Sequence, residues 1–437
     1  MLETLRNAWK IKELRNKILF TIFIVFIFRV GSRIPVPYID VDVLRAALGS
    51  DGAASGKEFF NYLSTLTGGG FEYGAIFAMS VTPYINASII VQLLCVAIPA
   101  LERLSKEGEE GQKKLAQITR FATVLLALIQ GIAYFIYLKN GDAQTPTYLS
   151  VKTTGATVFA GFVIVLALTA GSALVMWLGE QIDAKGIGNG ISMLLFAGIL
   201  SRAPQAAAAL WFYWKDAKEY VAVIGILIAF LAVIAFVVWM TAAERRIPVQ
   251  YAKRVVGNKM YGGQNTHIPI KVNMSGVMPI IFASSILMLP TMILGFMKSD
   301  PNKSTFGKIL QLFSVQGTFY AVMYFLLIIG FAYFYATIQF NPVEMTNNLR
   351  KNGGAVPGIR PGKPTSDFIS KILSRITLLG ALFLSVIAIL PILVGNVGNI
   401  NIAIGGTSVI IMVGVALDTV RNLESQMMMR HYKGFLD

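Results

Sequence analysis

Cysteine, histidine and charge are all scarce in this chain of 437 residues. Its one cysteine, Cys95, excludes an intramolecular disulfide and a cysteine metal cluster and reads as a small apolar filler. The two histidines stand far apart, His267 in a basic stretch and His431 in the C-terminal tail, so neither a metal site nor a buried catalytic base is expected. His267 reads as a surface or turn residue. Only 14% of residues are charged while 55% are hydrophobic; an average soluble domain carries roughly 25% charged residues. Nucleotide motifs are missing too. Gly56-Lys57 is followed by Glu58 and Gly362-Lys363 by Pro364, so no phosphate-binding loop with its Ser or Thr exists. Gly186-Ile187-Gly188-Asn189-Gly190 resembles a dinucleotide loop, but no strand precedes it and it reads as a flexible turn. No cofactor is expected.

What is present is a succession of long apolar runs, and these specify an all-α polytopic membrane protein. Ten spans are read, at about 18–34, 74–98, 118–138, 155–178, 187–209, 220–240, 274–296, 318–340, 372–394 and 402–420. The fifth is interrupted by Ser201, Arg202 and Pro204, and the aromatic anchor Trp211-Phe212-Tyr213-Trp214 follows it. Residues 1–17 form a basic amphipathic opening. The apolar run after it continues to Val30 without a small-residue cleavage site, so no removable leader is expected. Most of the 38 lysines and arginines fall on one side, at the N-terminus and after the even-numbered spans, which places both termini in the cytoplasm. The expected organisation is a segment 1–17, an N-terminal half 18–209, a C-terminal half 210–420 and a tail 421–437. The second span of each half is polar or interrupted, the mark of inverted repeats around a working site.

The stretch 56–98 organises this reading. Residues 56–67 are too short and polar to cross a bilayer, three glycines come next, and Thr82, Pro83, Asn86 and Ser88 interrupt the span after them. Polar or irregular backbone at membrane depth is tolerated where it is buried in protein or lines a cavity. That rule implies a half-inserted plug, a glycine hinge and a pore-lining helix. Two basic loops, 241–273 and 341–371, are longer than connectors need to be and read as docking elements. Alternation in Arg246–Val256 suggests a short hairpin in the first.

Two functions fit these residues about equally. One is a protein-conducting channel driven by partners; the other is a secondary transporter of a small solute bound at Thr82, Asn86, Ser88 and Gln92. Ionisable residues are missing from the cores of spans 3, 7, 8 and 10, with Glu180, Asp183 and Asp418 only near span ends. Coupled transporters place such a group near the midplane, which favours the channel. An intramembrane enzyme lacks any nucleophile–base set.

Several segments together resemble the SecY family of protein-conducting channels. They are Pro83-Tyr84-Ile85-Asn86-Ala87-Ser88, Trp177-Leu178-Gly179-Glu180-Gln181-Ile182, Gly186–Ser192, Arg245-Arg246-Ile247 through Arg254, Thr266-His267-Ile268-Pro269, Asn341-Pro342, Pro357–Gly362 and Gly405-Gly406-Thr407-Ser408. They run in the family's order along nearly the whole chain. The resemblance implies two pseudo-symmetric five-helix halves that pass unfolded secretory proteins across the bacterial inner membrane and release hydrophobic helices sideways into lipid. It implies a pore ring of Val81, Ile85, Ile191, Leu195, Ile281 and Ile411. It implies a plug and hinge including Phe59, Phe60, Tyr62, Leu63, Leu66, Gly68, Gly69 and Gly70, and a lateral gate including Asn86, Ser88, Gln92, Asn273 and Leu289. Docking of the ribosome and of the SecA motor ATPase would fall on Arg245, Arg246, Lys253, Arg254, Lys259 and Arg360. The small membrane subunits SecE and SecG, preprotein substrates and the lipid bilayer are the other implied partners.

Overall fold

The computed structural model describes residues 2–49, 64, 67–140, 147–151, 153–215, 220–251, 254–256, 259–261, 265–274, 276–296, 309–310, 312–313, 317–398 and 406–433. The first elements are α1 (Leu2–Lys10), α2 (Lys12–Gly31), α3 (Val41–Gly49), α4 (Thr82–Ala97), α5 (Pro99–Lys106), α6 (Glu109–Asn140) and α7 (Thr154–Lys185). Next come α8 (Gly190–Leu200), α9 (Ala203–Lys215) and α10 (Tyr220–Ala242), then strands β1 (Glu244–Tyr251), β2 (Arg254–Val256), β3 (Lys259–Tyr261) and β4 (Asn265–Lys271). The chain closes with α11 (Met278–Phe296), α12 (Thr318–Gln339), α13 (Pro342–Lys351), β5 (Gly354–Ala355), α14 (Lys363–Gly398) and α15 (Gly406–Lys433).

The long helices carry large apolar residues on their outer faces as well as on their buried ones. On α6, Thr123, Ala127, Tyr134 and Leu138 are buried, while Phe121, 77% exposed, and Leu125, 61% exposed, face outward with Ile132 and Ile136. A monomer in water rarely leaves so continuous an apolar face bare, whereas lipid solvates it. Thr119 and Thr123 return their hydroxyls to the carbonyls four residues back, at 3.0 and 2.7 Å, so their polarity is spent inside the helix. Among the described residues six helices are long and apolar enough to cross a membrane, and a seventh is obtained if the bent α4–α5 pair counts as one span. α2 and α15 carry charged ends that prolong them beyond their apolar runs.

Breaks occur where local chemistry demands them. α4 and α5 diverge by 104° at Ile98. Pro99 disfavours helical angles in the residue before it, and Ile98 is extended at φ −111° and ψ 114°. The second span, read from Gly74, starts as a helix only at Thr82, because residues 67–81 form successive turns. Within them Gly74 and Ser80 take φ of +53° and +48°, and the backbone bridges to 34–36 through Val36 N–H to the Gly74 carbonyl at 2.9 Å and Ile76 N–H to the Ile34 carbonyl at 3.0 Å.

Two compact units result. The first comprises Met1–Tyr220, Leu287–Gly317 and Ile400–Asp437. In it α6 packs between α4 and α7, and α8 packs on both α7 and α15. Ala8, Leu14, Ile187 and Leu423 join α1, the start of α2 and α15 in a small apolar cluster. The second comprises Val221–Ile286 and Thr318–Asn399, with α12 against α14 and a three-stranded sheet in the order β4-β1-β5. An all-α fold was expected, and the sheets are an addition to it. The hairpin read within Arg246–Val256 is also different. β1 pairs antiparallel with β4 from Glu244 opposite Lys271 to Gln250 opposite Asn265, while β2 and β3 form a separate two-stranded ladder. The alternation was visible in β1, but its partner lies beyond an intervening hairpin.

Candidate functional site

The glycine segment is anchored rather than loose. Gly68 and Gly69 take φ of +64° and +89°, which side chains rarely adopt, while Gly70 does not. A Cβ on Gly68 would also lie 2.8 Å from the Gly198 carbonyl and 2.9 Å from Arg29 Nη1, so this position needs glycine twice over. Arg29 donates to the Gly68 carbonyl at 2.7 Å. Downstream, Phe71 is buried against Tyr134 with ring centres 4.6 Å apart, and the Tyr134 hydroxyl donates to the Phe71 carbonyl at 3.3 Å. Upstream, Phe59, Phe60, Tyr62, Leu63 and Leu66 lie outside the described residues; Ser64 and Thr67 are described, and both are buried.

An apolar cluster lies just beyond the hinge. Val81, Ile85 and Ile191 meet there, with Ile24, Phe28, Phe77, Val175, Leu178, Ile182 and Leu194. Leu195 is buried on the same helix as Ile191, and Ile411 is buried on α15, which packs on that helix. Ile281 belongs to the second unit and is half-buried there. The turn before α8 sets the position of Ile191. Asn189 caps the helix by accepting the Ser192 N–H at 3.0 Å, Asp183 accepts the Gly190 N–H at 2.7 Å, and Thr21 accepts the Ile187 N–H at 3.1 Å. Gly190 packs directly on the Gly179 carbonyl of α7, a crossing too close for any side chain. The glycine-rich turn is thus a tight structural corner, not a nucleotide loop.

The polar residues of α4 are half-buried, and Gln92 donates along its own helix to Ser88 at 3.2 Å. Asn273 is buried in the second unit with its side-chain oxygen unpartnered. The side chain of Leu289 lies outside those described.

The two basic loops form one body. β5, from the second loop, pairs with β1, from the first, through Gln250 opposite Ala355 and Tyr251 opposite Gly354. Beneath them Ile247, Ile270, Val356, Ile369, Leu373 and Ile376 make one core. Arg245, Arg246 and Arg360 are exposed, as is His267 on β4. Arg246 pairs with Glu244 at 2.8 Å, an exposed contact worth at most ~1 kcal/mol. Arg360 sits in a fixed turn. Thr365 donates its hydroxyl to the Arg360 carbonyl at 2.8 Å, and Gly358 and Gly362 on either side take φ of +79° and +109°. Lys253 lies outside the described residues, and Arg254 and Lys259 are described in backbone only.

A family model for SecY matches residues 75–420. The chain belongs to the SecY family. Protein translocase subunit SecY of Streptomyces coelicolor is 41% identical over 439 residues, covering all of both chains. The SecY subunits of Mycobacterium bovis and Thermotoga maritima are 42% and 40% identical, covering 100% and 98% of those proteins and all of this chain. Among solved structures, one described as the structure of a protein conducting channel aligns over 94% of this chain and 92% of its own, with TM-score 0.62 and 15% identity. Sec61 in a canine ribosome–channel complex aligns over the same shares with TM-score 0.58 and 14% identity. At these identities the structures speak to the fold.

Outside the SecY motifs, sequence reasoning missed a charged cluster at the hinge. Glu72 accepts from Arg202 and from the Ser64 hydroxyl, the latter at 2.5 Å, and Arg202 also donates to Ser64. In sequence, Arg202 stands out only as an interruption of an apolar run. A charge in such a run calls for a partner, and that was the available signal. Its partner lies 130 residues earlier and carries no motif.

Proposed function

We propose that this chain is the channel-forming subunit of a bacterial protein translocase, conducting unfolded polypeptides across the cytoplasmic membrane and releasing hydrophobic helices sideways into lipid. The observation that carries the reading is full-length identity of about two residues in five to SecY translocase subunits. The physics agrees. An aliphatic constriction can grip any extended chain without reading its sequence, and it resists hydration when it closes on itself. Val81, Ile85 and Ile191, already clustered, are the core of that constriction, and Leu195, Ile281 and Ile411 complete the proposed ring.

In this reading ten spans form two five-span halves with both termini cytoplasmic. Residues 56–67 are a plug that swings on Gly68 and Gly69. The lateral gate runs along Asn86, Ser88 and Gln92 on one side and Asn273 and Leu289 on the other. Interhelical polar contacts average only ~0.6 kcal/mol in bilayers, which suits a seam that opens repeatedly. The β1–β4–β5 sheet with Arg360 is the docking face for the ribosome and for SecA. Clustered cations are rewarded on ribosomal RNA by counterion release and on an acidic motor surface by complementarity. SecE and SecG are the expected small membrane partners. No role in catalysis is assigned to any residue.

The test is reconstitution into proteoliposomes with the motor ATPase. Unfolded secretory polypeptide should become protected from external protease. Accumulation of a small solute without polypeptide transport would overturn the reading in favour of a transporter.

A further inference from the structure

Three residues from three places meet at the base of the hinged segment. Ser64 lies just before the glycines, Glu72 just after them, and Arg202 at the break between α8 and α9. Ser64 donates to Glu72, and Arg202 donates to both. The arrangement bridges the hinge, tying the chain on the two sides of Gly68 and Gly69 to each other and to a separate helical element. Just after the hinge the chain has other anchors. Phe71 is packed under Tyr134, and residues 74–76 are bridged to 34–36. What the charges add is restraint on the upstream side, where the Gly69 N–H also bonds the Ser64 carbonyl at 2.8 Å. Arg29 adds a second cationic clamp, on the Gly68 carbonyl at 2.7 Å.

The cluster is built to be stable yet breakable. The side chain of Arg202 is 11% exposed and that of Glu72 is 23% exposed, so the pair is largely out of water. Arg202 Nε is nevertheless buried with no partner, which leaves the guanidinium incompletely satisfied. Incomplete pairing of a desolvated charge erodes the net gain from its ion pair, so the three-residue cluster is favoured by a modest margin.

We propose that Ser64, Glu72 and Arg202 form an ionic latch that holds the base of the plug shut, and that an arriving polypeptide must break it for the plug to leave. The proposal rests on the reading of 56–67 as the plug. The latch sets how readily the resting channel opens.

The test uses the full chain in its native membrane complex, with Cys95→Ser as background, purified and measured in planar bilayers. Glu72→Gln and Arg202→Gln should each raise resting ion conductance, on the order of tenfold for a ~1.4 kcal/mol loss of closure. The exchange Glu72→Arg with Arg202→Glu should bring it back toward the parent. Ser64→Ala, which strands no charge, should give a smaller rise and covers the case in which a charge variant fails to assemble. Deleting residues 58–67 in parallel separates the two readings. A leaky deletion with tight Glu72→Gln, Arg202→Gln and Ser64→Ala channels would overturn the latch and leave the plug standing. If the deletion itself does not leak, the plug reading fails and the latch with it. A rise in the single variants that the exchange does not reverse would make the cluster a packing feature rather than an ionic latch.

Discussion

Replacing Gly190 with alanine would drive a methyl group into the backbone of α7. The new Cβ would overlap the Gly179 carbonyl oxygen and lie 2.8 Å from its carbon and 2.9 Å from Ile182 Cβ. Two of these three atoms are backbone, so no side chain can swing aside to make room. Overpacking of this kind costs typically about 1–3 kcal/mol. Moving α8 away also stretches the Gly190 N–H bond to the Asp183 carboxylate, now 2.7 Å, and charged hydrogen bonds are worth roughly 1.5–3 kcal/mol. The helix that must move carries Ile191 and Leu195 of the proposed ring. Gly190→Ala should therefore assemble with a lowered unfolding midpoint and a raised resting ion conductance. Gly225→Ala is the control, because its Cβ position has nothing within 4 Å. Equal conductance and equal midpoints for the two variants would refute the claim that the α7–α8 corner positions the constriction.

Replacing both Ile85 and Ile411 with asparagine should hydrate the constriction and raise ion conductance several-fold without loss of assembly; conductance like the parent's would argue against the ring. Arg360→Glu should abolish most motor-driven transport while leaving the purified complex intact, since the Arg360 side chain is exposed. Transport at the parent rate would remove its docking role. Deleting residues 58–67 should give an assembled but leaky channel, and loss of expression would instead make that segment structural.

The helical framework was largely legible because lipid-facing runs are long and unambiguous. The run read at 118–138 lies inside α6, and that at 155–178 inside α7. What escaped were features that depend on distant partners. The second span was begun at Gly74, since apolar composition cannot reveal that residues 74–76 bridge to 34–36 and hold the chain in turns until Thr82. The pairing of β1 with β4 and β5 was equally hidden, so two docking loops were read where one sheet joins them. Val81, Ile85 and Ile191 came from motif order, and their clustering is a finding of the structure. Glu72 and Arg202 are the instructive omission. Arg202 stands out as a charge in an apolar run, but nothing in the sequence near it or near Glu72 names its partner, and only folding makes them a pair.

The central claim is that an extended polypeptide passes through the aliphatic constriction. It is tested most directly by crosslinking a translocation-arrested preprotein to single cysteines introduced as Ile85→Cys, Leu195→Cys and Ile281→Cys, in a chain lacking Cys95. All three should crosslink to the arrested segment, while Phe121→Cys, on the lipid-exposed face of α6, should not. Crosslinking at Phe121→Cys but at none of the three ring positions would contradict the account.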